Sequence, residues 1–174
     1  MNTAQYPIGK VQLVEFSEKE KEARLADILF LPRMLEFAVL NLNEDQLQTP
    51  YREGGWTVNQ LVHHVADSHM NAYIRCKLAL TEDNPTIKPY DQDAWVRTTD
   101  VENVPVNISI TLLHALHHRW YELLKTLQEE DWKKTVFHPE QQRTISLWNL
   151  LQIYAWHGKH HATHVTNLRE EKGW

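Results

Sequence analysis

The chain holds one cysteine, Cys76, among 174 residues, which excludes an internal disulfide and any cysteine-rich zinc site and points to a reducing compartment. Five glycines and seven prolines are too few for a collagen-like or low-complexity sequence. No run approaches the ~18 apolar residues of a membrane span, and the start MNTAQYPIGK lacks the apolar core of a signal peptide. The expectation is a cytoplasmic protein with no membrane partner. A basic excess is also missing: the formal net charge is -5 and lysines and arginines are scattered, so a phosphate backbone has no footprint and nucleic acid is not an expected partner. With 42% hydrophobic and 24% charged residues, the composition is that of one folded domain, 1–174, able to bury roughly two thirds of its surface.

What the chain has in excess is histidine, at 11 residues, and neutral imidazole is the commonest metal-ligating side chain. Four of them fall within WHGKHHATH: His157, His160, His161 and His164.

Helical periodicity appears in four segments, and no segment of useful length alternates as a half-buried strand would. The fold class is therefore all-α. The first helix opens at SEKE with Ser17 as N-cap and Glu20 reaching back, carries Leu25, Ile28, Leu29, Leu35 and Val39 on one stripe, and should kink at Pro32. The second follows the glycine pair in GGWTVNQ, with Thr57 and Gln60 as a capping box, and runs to about Leu80. The third covers about Ile108 to Gln128, with Leu112, Leu116, Leu123 and Leu127 on one face; the fourth runs from Ser146 to about Glu171. The stretch from Thr81 to Pro105 shows no clear element, and a connection of that length is usually functional or crosses the fold. A four-helix bundle with one long crossover loop follows.

On a wheel of 100° per residue, His161 lies at the centre of the last helix's apolar face and His157 beside it. His164 sits slightly further round, and His160 at the polar edge. A lone histidine on an apolar face is more often a hydrogen-bonded core residue than a ligand. Two at i, i+4 place their imidazoles close enough to chelate one ion. In the second helix, HHVADSH offers three more. His69 is near the centre of the apolar face and His63 points away. His64 lies at the edge, in line with Ser68, Asn71 and Arg75, a polar strip suited to a pocket between helices. Periodicity does not choose between His64 and His69. His114, His117 and His118 fall off the third helix's leucine face and read as solvated surface. The pair His157 and His161 is not H-E-x-x-H, which removes the zincin proteases, and two E-x-x-H helices are missing, which disfavours a di-iron bundle. What remains is a mononuclear three-histidine site with an open position.

The stretch TPYREGGWTVNQLVHHVADSHMNAYIRCKLALTEDNPTIKPYDQDAW, together with WHGKHHATH, resembles the DinB-like superfamily, and within it the YfiT-like metal-dependent hydrolases, which are related to bacillithiol S-transferases. The resemblance implies an up-down-down-up four-helix bundle, commonly a homodimer, binding a divalent metal through three histidines. It selects His64, the histidine before V-A-D, with His157 and His161 as ligands, and makes His164 a pocket residue. The implied activity is hydrolysis of a small-molecule substrate by water that a zinc or nickel ion activates. The alternatives are transfer of a low-molecular-weight thiol, activated as thiolate at the same open position, and a non-catalytic metal-binding bundle. Ser68, Asn71 and Arg75 are candidate substrate contacts, Asp67 a candidate acceptor behind a ligand, and Tyr90, Asp91 and Trp95 candidate covers of the pocket.

Overall fold

The computed structural model describes residues 5–174. Its long helices are α1 (Glu18–Val39), α3 (Val58–Thr81), α6 (Val106–Leu124) and α7 (Leu147–Lys172), with short α2 (Glu44–Leu47), α4 (Gln92–Trp95) and α5 (Thr99–Asn103) between them. A 3-10 turn, Asp131–Lys133, precedes an antiparallel hairpin of β1 (Thr135–His138) and β2 (Arg143–Ser146).

Local chemistry sets the helix starts. Ser17, Asn43, Thr57 and Ser146 each accept from the backbone amide three residues on, which satisfies one of the free amides of a first turn. Thr57 with Gln60, and Asn43 with Gln46, form complete capping boxes. At α1 the expected reciprocal bond from Glu20 is replaced by an ion pair with Arg24, one turn on, at 2.8 Å. Helical structure continues through Pro32 to Val39. At the far end Arg169 of α7 donates to the carbonyls of Phe37, Ala38 and Leu40, closing α1 with a charged donor where the helix dipole is negative.

Cross-helix bonds define the helix directions. Val14, just before α1, meets Gln152 and Arg169 meets Ala38, so α1 and α7 run parallel. His63 meets Ser109, so α3 and α6 run parallel, while Arg75 meets Tyr154 and His64 meets His157, so α3 opposes α7. The bundle is up-down-down-up. Gly158 allows the close approach of α1 and α7, because a Cβ there would lie 2.3 Å from a methyl of Leu31.

The apolar core falls into two clusters. One contains Ile28, Ala72, Trp120, Leu124 and Leu151, and the other Leu31, Leu35, Val62, Leu113 and Val165. On α3, α6 and α7 the change from one cluster to the other falls where the buried histidines are, and on α1 it falls between Ile28 and Leu31, so a polar layer crosses the middle of the bundle. No helix among the described residues is long and apolar enough to cross a membrane.

Three expectations need correction. The buried face of α6 is Ile110, Leu113, His117, Trp120 and Leu124, not the leucine row: Leu112 is 40% exposed and Trp120 fully buried. The two rows lie about 100° apart on the wheel, and the large indole and an imidazole outweigh the leucines. His117 therefore lies in the interior, while His114 and His118 remain exposed. His63 is also buried, bonded to Ser109 Oγ at 2.8 Å and to the Val104 carbonyl at 3.0 Å. The long connection is not featureless. Besides α4 and α5, it pairs with the hairpin through Ile87 and Phe137, and it docks on the start of α3 through Asn59 to Val101 O and Gln60 to Val96 O.

Candidate metal centre

α3 contributes His64 and α7 contributes His157 and His161, one turn apart. Their Nε2 atoms converge: His157 Nε2 lies 3.3 Å from His64 Nε2 and 3.1 Å from His161 Nε2, and the three ligand atoms all lie within 4.8 Å of one another. A tetrahedral ion with bonds of ~2.0–2.1 Å separates its ligand nitrogens by about 3.3–3.4 Å, so the two shorter gaps fit a common cation. One neutral imidazole carries one N–H, and three nitrogens facing one point cannot satisfy one another. A cation between them would relieve the clash of lone pairs.

Burial keeps these rings neutral, which is the ligating form. Loss of hydration pushes His64 down to about 4, with Asp93 acting weakly in the opposite direction. The same cause holds His157 and His161 well below the usual range, reinforced by the neighbouring imidazoles. Behind the triad, His69 Nε2 lies 3.1 Å from His157 Nδ1. His69 is thus a core residue touching a candidate ligand, and behind His157 it stands in the kind of place that sequence reading gave to Asp67 behind a ligand. Burial pushes the Asp67 carboxyl up to about 6, with the charge of Asp100 adding to it.

Two cavities open onto the triad. The first, about 260 Å³, is bounded by Ser68, Arg75, Tyr90, His138, Arg143 and Tyr154 and reaches His157. The second, about 440 Å³, is bounded by Arg52, Trp56, Asp93 and His160 and reaches His64, His157 and His161. Gln92, at the start of α4, borders both. Trp56 Nε1 donates to Asp93 Oδ1 at 2.9 Å, which holds the long connection over the second cavity.

Of the residues expected at the pocket, Ser68 and Arg75 line the first cavity. Arg75 donates to Tyr154 Oη at 3.1 Å and more weakly to the Lys88 carbonyl. It has no carboxylate partner among the described residues. Asn71 borders neither cavity and donates to the Asp67 backbone carbonyl. His164 is set back from the triad, bonded to His160 at 3.2 Å and lying against the Tyr51 ring. Tyr90 packs on Trp95 with ring centres 4.3 Å apart, and Asp91 caps α4. Sequence reasoning missed Arg52, His138 and Arg143. The last two arrive on the hairpin, whose β-branched TVFH and RTIS around a polar turn were its only signal.

The family model of the DinB superfamily matches residues 28–165. A protein of Oceanobacillus iheyensis named "Putative metal-dependent hydrolase" is 50% identical over 170 residues, covering 97% of this chain and 98% of its own length. A Bacillus cereus protein of the same name is 48% identical over 175 residues, end to end in both. Among solved structures, YfiT from Bacillus subtilis, described as "a probable metal-dependent hydrolase with an unusual four-helix bundle topology", matches with a TM-score of 0.96 at 43% identity, covering 99% of each chain. Matched by the family model over most of its length and by these relatives end to end, the chain belongs to the DinB superfamily.

Proposed function

We propose that this protein is a metal-dependent hydrolase acting on a small-molecule substrate, with a divalent ion, zinc foremost and nickel second, held by His64, His157 and His161. The observation that carries the reading is the convergence of three Nε2 atoms, from two buried histidines and the half-buried His157, at the junction of two cavities. The names of the relatives support it. When bound, a divalent ion supplies Lewis acidity, lowering the pKa of water and polarising a carbonyl or phosphoryl oxygen.

The chain's own residues bind and enclose the substrate. Arg75 spends bonds on Tyr154 and on a carbonyl, yet guanidinium has five donors, so it retains capacity for an anionic substrate group. Arg143 borders the same cavity, and the guanidiniums of Arg75 and Arg143 together outweigh the carboxylate of Glu140 there. Tyr90 and Gln92, carried on the long connection, line the approach to His157.

One observation favours the second reading, transfer of a low-molecular-weight thiol: two cavities of different lining meet at His157 and Gln92, whereas hydrolysis needs room for one organic substrate. A panel of ester, amide and phosphoester substrates and of thiol-reactive electrophiles, run with and without a small thiol, separates the two. Turnover without thiol supports hydrolysis and strictly thiol-dependent consumption supports transfer. No turnover of any member by the metal-loaded protein would favour a non-catalytic bundle. The reading includes a homodimer, supported by exposed Phe30, Met34 and Phe37 on α1 and Ile108 and Leu112 on α6; light scattering at working concentration tests it.

A further inference from the structure

The order of protons in the histidine layer is set by one backbone carbonyl. Pro32 lies inside α1 and has no amide hydrogen, so the carbonyl four residues earlier, that of Ile28, lacks its helical donor. His117 of α6 supplies one instead, with its Nδ1 2.6 Å from Ile28 O. A carbonyl only accepts, so His117 carries its hydrogen on Nδ1 and presents a bare Nε2. That Nε2 lies 3.0 Å from His69 Nδ1, which must therefore donate and leave its own Nε2 bare. His69 Nε2 in turn lies 3.1 Å from His157 Nδ1. By the same step His157 donates from Nδ1, and its lone pair stands on Nε2, at the point where the three nitrogens meet. Reversing any one ring would set two lone pairs against each other at one of its ends, those of two nitrogens or, at His117, of Nδ1 and the Ile28 carbonyl. Both His69 and His117 are 0% exposed, so no solvent contact can rescue a reversed order.

We propose that Pro32, the Ile28 carbonyl, His117 and His69 form a proton-ordering relay that locks His157 into the tautomer whose Nε2 binds metal. His69 and His117 are thereby positioning residues of the site. This rests on the reading of His64, His157 and His161 as metal ligands. His157 is the suitable ligand to anchor, because its Nε2 is the one within 3.3 Å of both others. By contrast, the Nδ1 of His161 is buried without a partner among the described residues. Ordering the outer nitrogen of a ligating histidine fixes its ring and raises its basicity. The relay also ties the site to all four long helices, since α1 and α6 supply no ligand of their own.

The test has two arms. Long-range proton–nitrogen NMR of the unaltered protein, zinc-loaded and metal-free, reads the tautomers directly: the hydrogen is expected on Nδ1 of His117, His69 and His157 in both forms. A hydrogen on Nε2 of neutral His69 or His117 would overturn the relay without involving any variant. In the second arm zinc affinity is measured by chelator competition. His69→Phe is expected to weaken binding by ~10–100-fold. Pro32→Ala, which returns an amide donor to the Ile28 carbonyl and suits a helix, is expected to weaken it in the same direction by less. His63→Phe removes a histidine bonded only to Ser109 and Val104, and is expected to leave affinity unchanged. Parent-like affinity in His69→Phe, or an equal loss in His63→Phe, would reduce the relay to core packing. If the unaltered protein shows these tautomers yet binds no zinc, the ligand reading fails and the proton order stands.

Discussion

Leu31 of α1 occupies the space that a side chain at Gly158 of α7 would need, with its Cδ1 2.3 Å from where a Cβ would lie. Gly158 sits between the candidate ligands His157 and His161, so α1 packs directly behind the chelating turn. Gly158→Ala would insert a methyl into a filled core, at a cost of typically 1–3 kcal/mol, despite the better helix propensity of alanine. A denaturant midpoint equal to or above that of the parent would show that the two helices are not held this closely. The same variant is expected to weaken metal binding, because the strain falls on the turn that spaces the two imidazoles.

Acidification should destabilise the metal-free protein. Loss of hydration pushes His117 down to about 4, against the opposing pull of the Ile28 carbonyl, and burial likewise brings His160 and His164 to about 4. In the unfolded chain these groups titrate near ~6.5. Between ~6.5 and ~4 the unfolded chain binds more protons, so stability is fully present above that window and is lost as pH falls through it. His117 alone contributes on the order of 3 kcal/mol. The melting temperature should be flat above pH ~7 and fall steeply from ~6.5 towards ~4. A flat or rising curve there would contradict neutral burial of these rings.

Asn59 anchors the long connection through a buried bond from Nδ2 to the Val101 carbonyl at 2.7 Å. Asn59→Ala leaves that carbonyl unpaired, at a cost of about 1–3 kcal/mol. The loss should be local, appearing as faster proteolysis and amide exchange in residues 82–105 before any change in the bundle. Unchanged exchange in that segment would remove the clamp.

The architecture and two of the three candidate ligands were legible in the sequence for identifiable physical reasons. Ser17 and Thr57 mark their helix starts because a side-chain acceptor must meet free amides there. His157 and His161 fall on an apolar face whatever the packing partner. The second helix left His64 and His69 unresolved because both point inward, one to the ion-sized gap and the other to the layer behind it. α6 was misread because the row of Leu112, Leu116 and Leu123 looks more apolar than the face that is buried, which mixes Ile110, Leu113 and Leu124 with an imidazole and an indole, so His117 was placed in solvent. His63 was read only as pointing away from the apolar face, because its partners, Ser109 and Val104, lie in segments whose docking is not written in the periodicity of α3. The hairpin strands, four residues each, are too short to show alternation. Pro32 was legible as an irregularity, but the acceptor it frees becomes useful only once α6 lies across it.

Zinc should raise stability by linkage. Ligand at one hundred times its dissociation constant adds about 2.7 kcal/mol, so the melting temperature should rise with zinc or nickel and fall on chelation. An insensitive melting temperature would indicate that no ion binds the folded chain in preference to the unfolded one.

The central claim, that His64, His157 and His161 hold one divalent ion, is tested most directly by elemental analysis of zinc- or nickel-loaded protein after removal of free metal. The account expects one ion per chain in the parent, and close to none in His64→Ala, His157→Ala and His161→Ala, with His114→Ala unchanged. A parent without metal, or alanine variants that keep the parent's ratio, would contradict it.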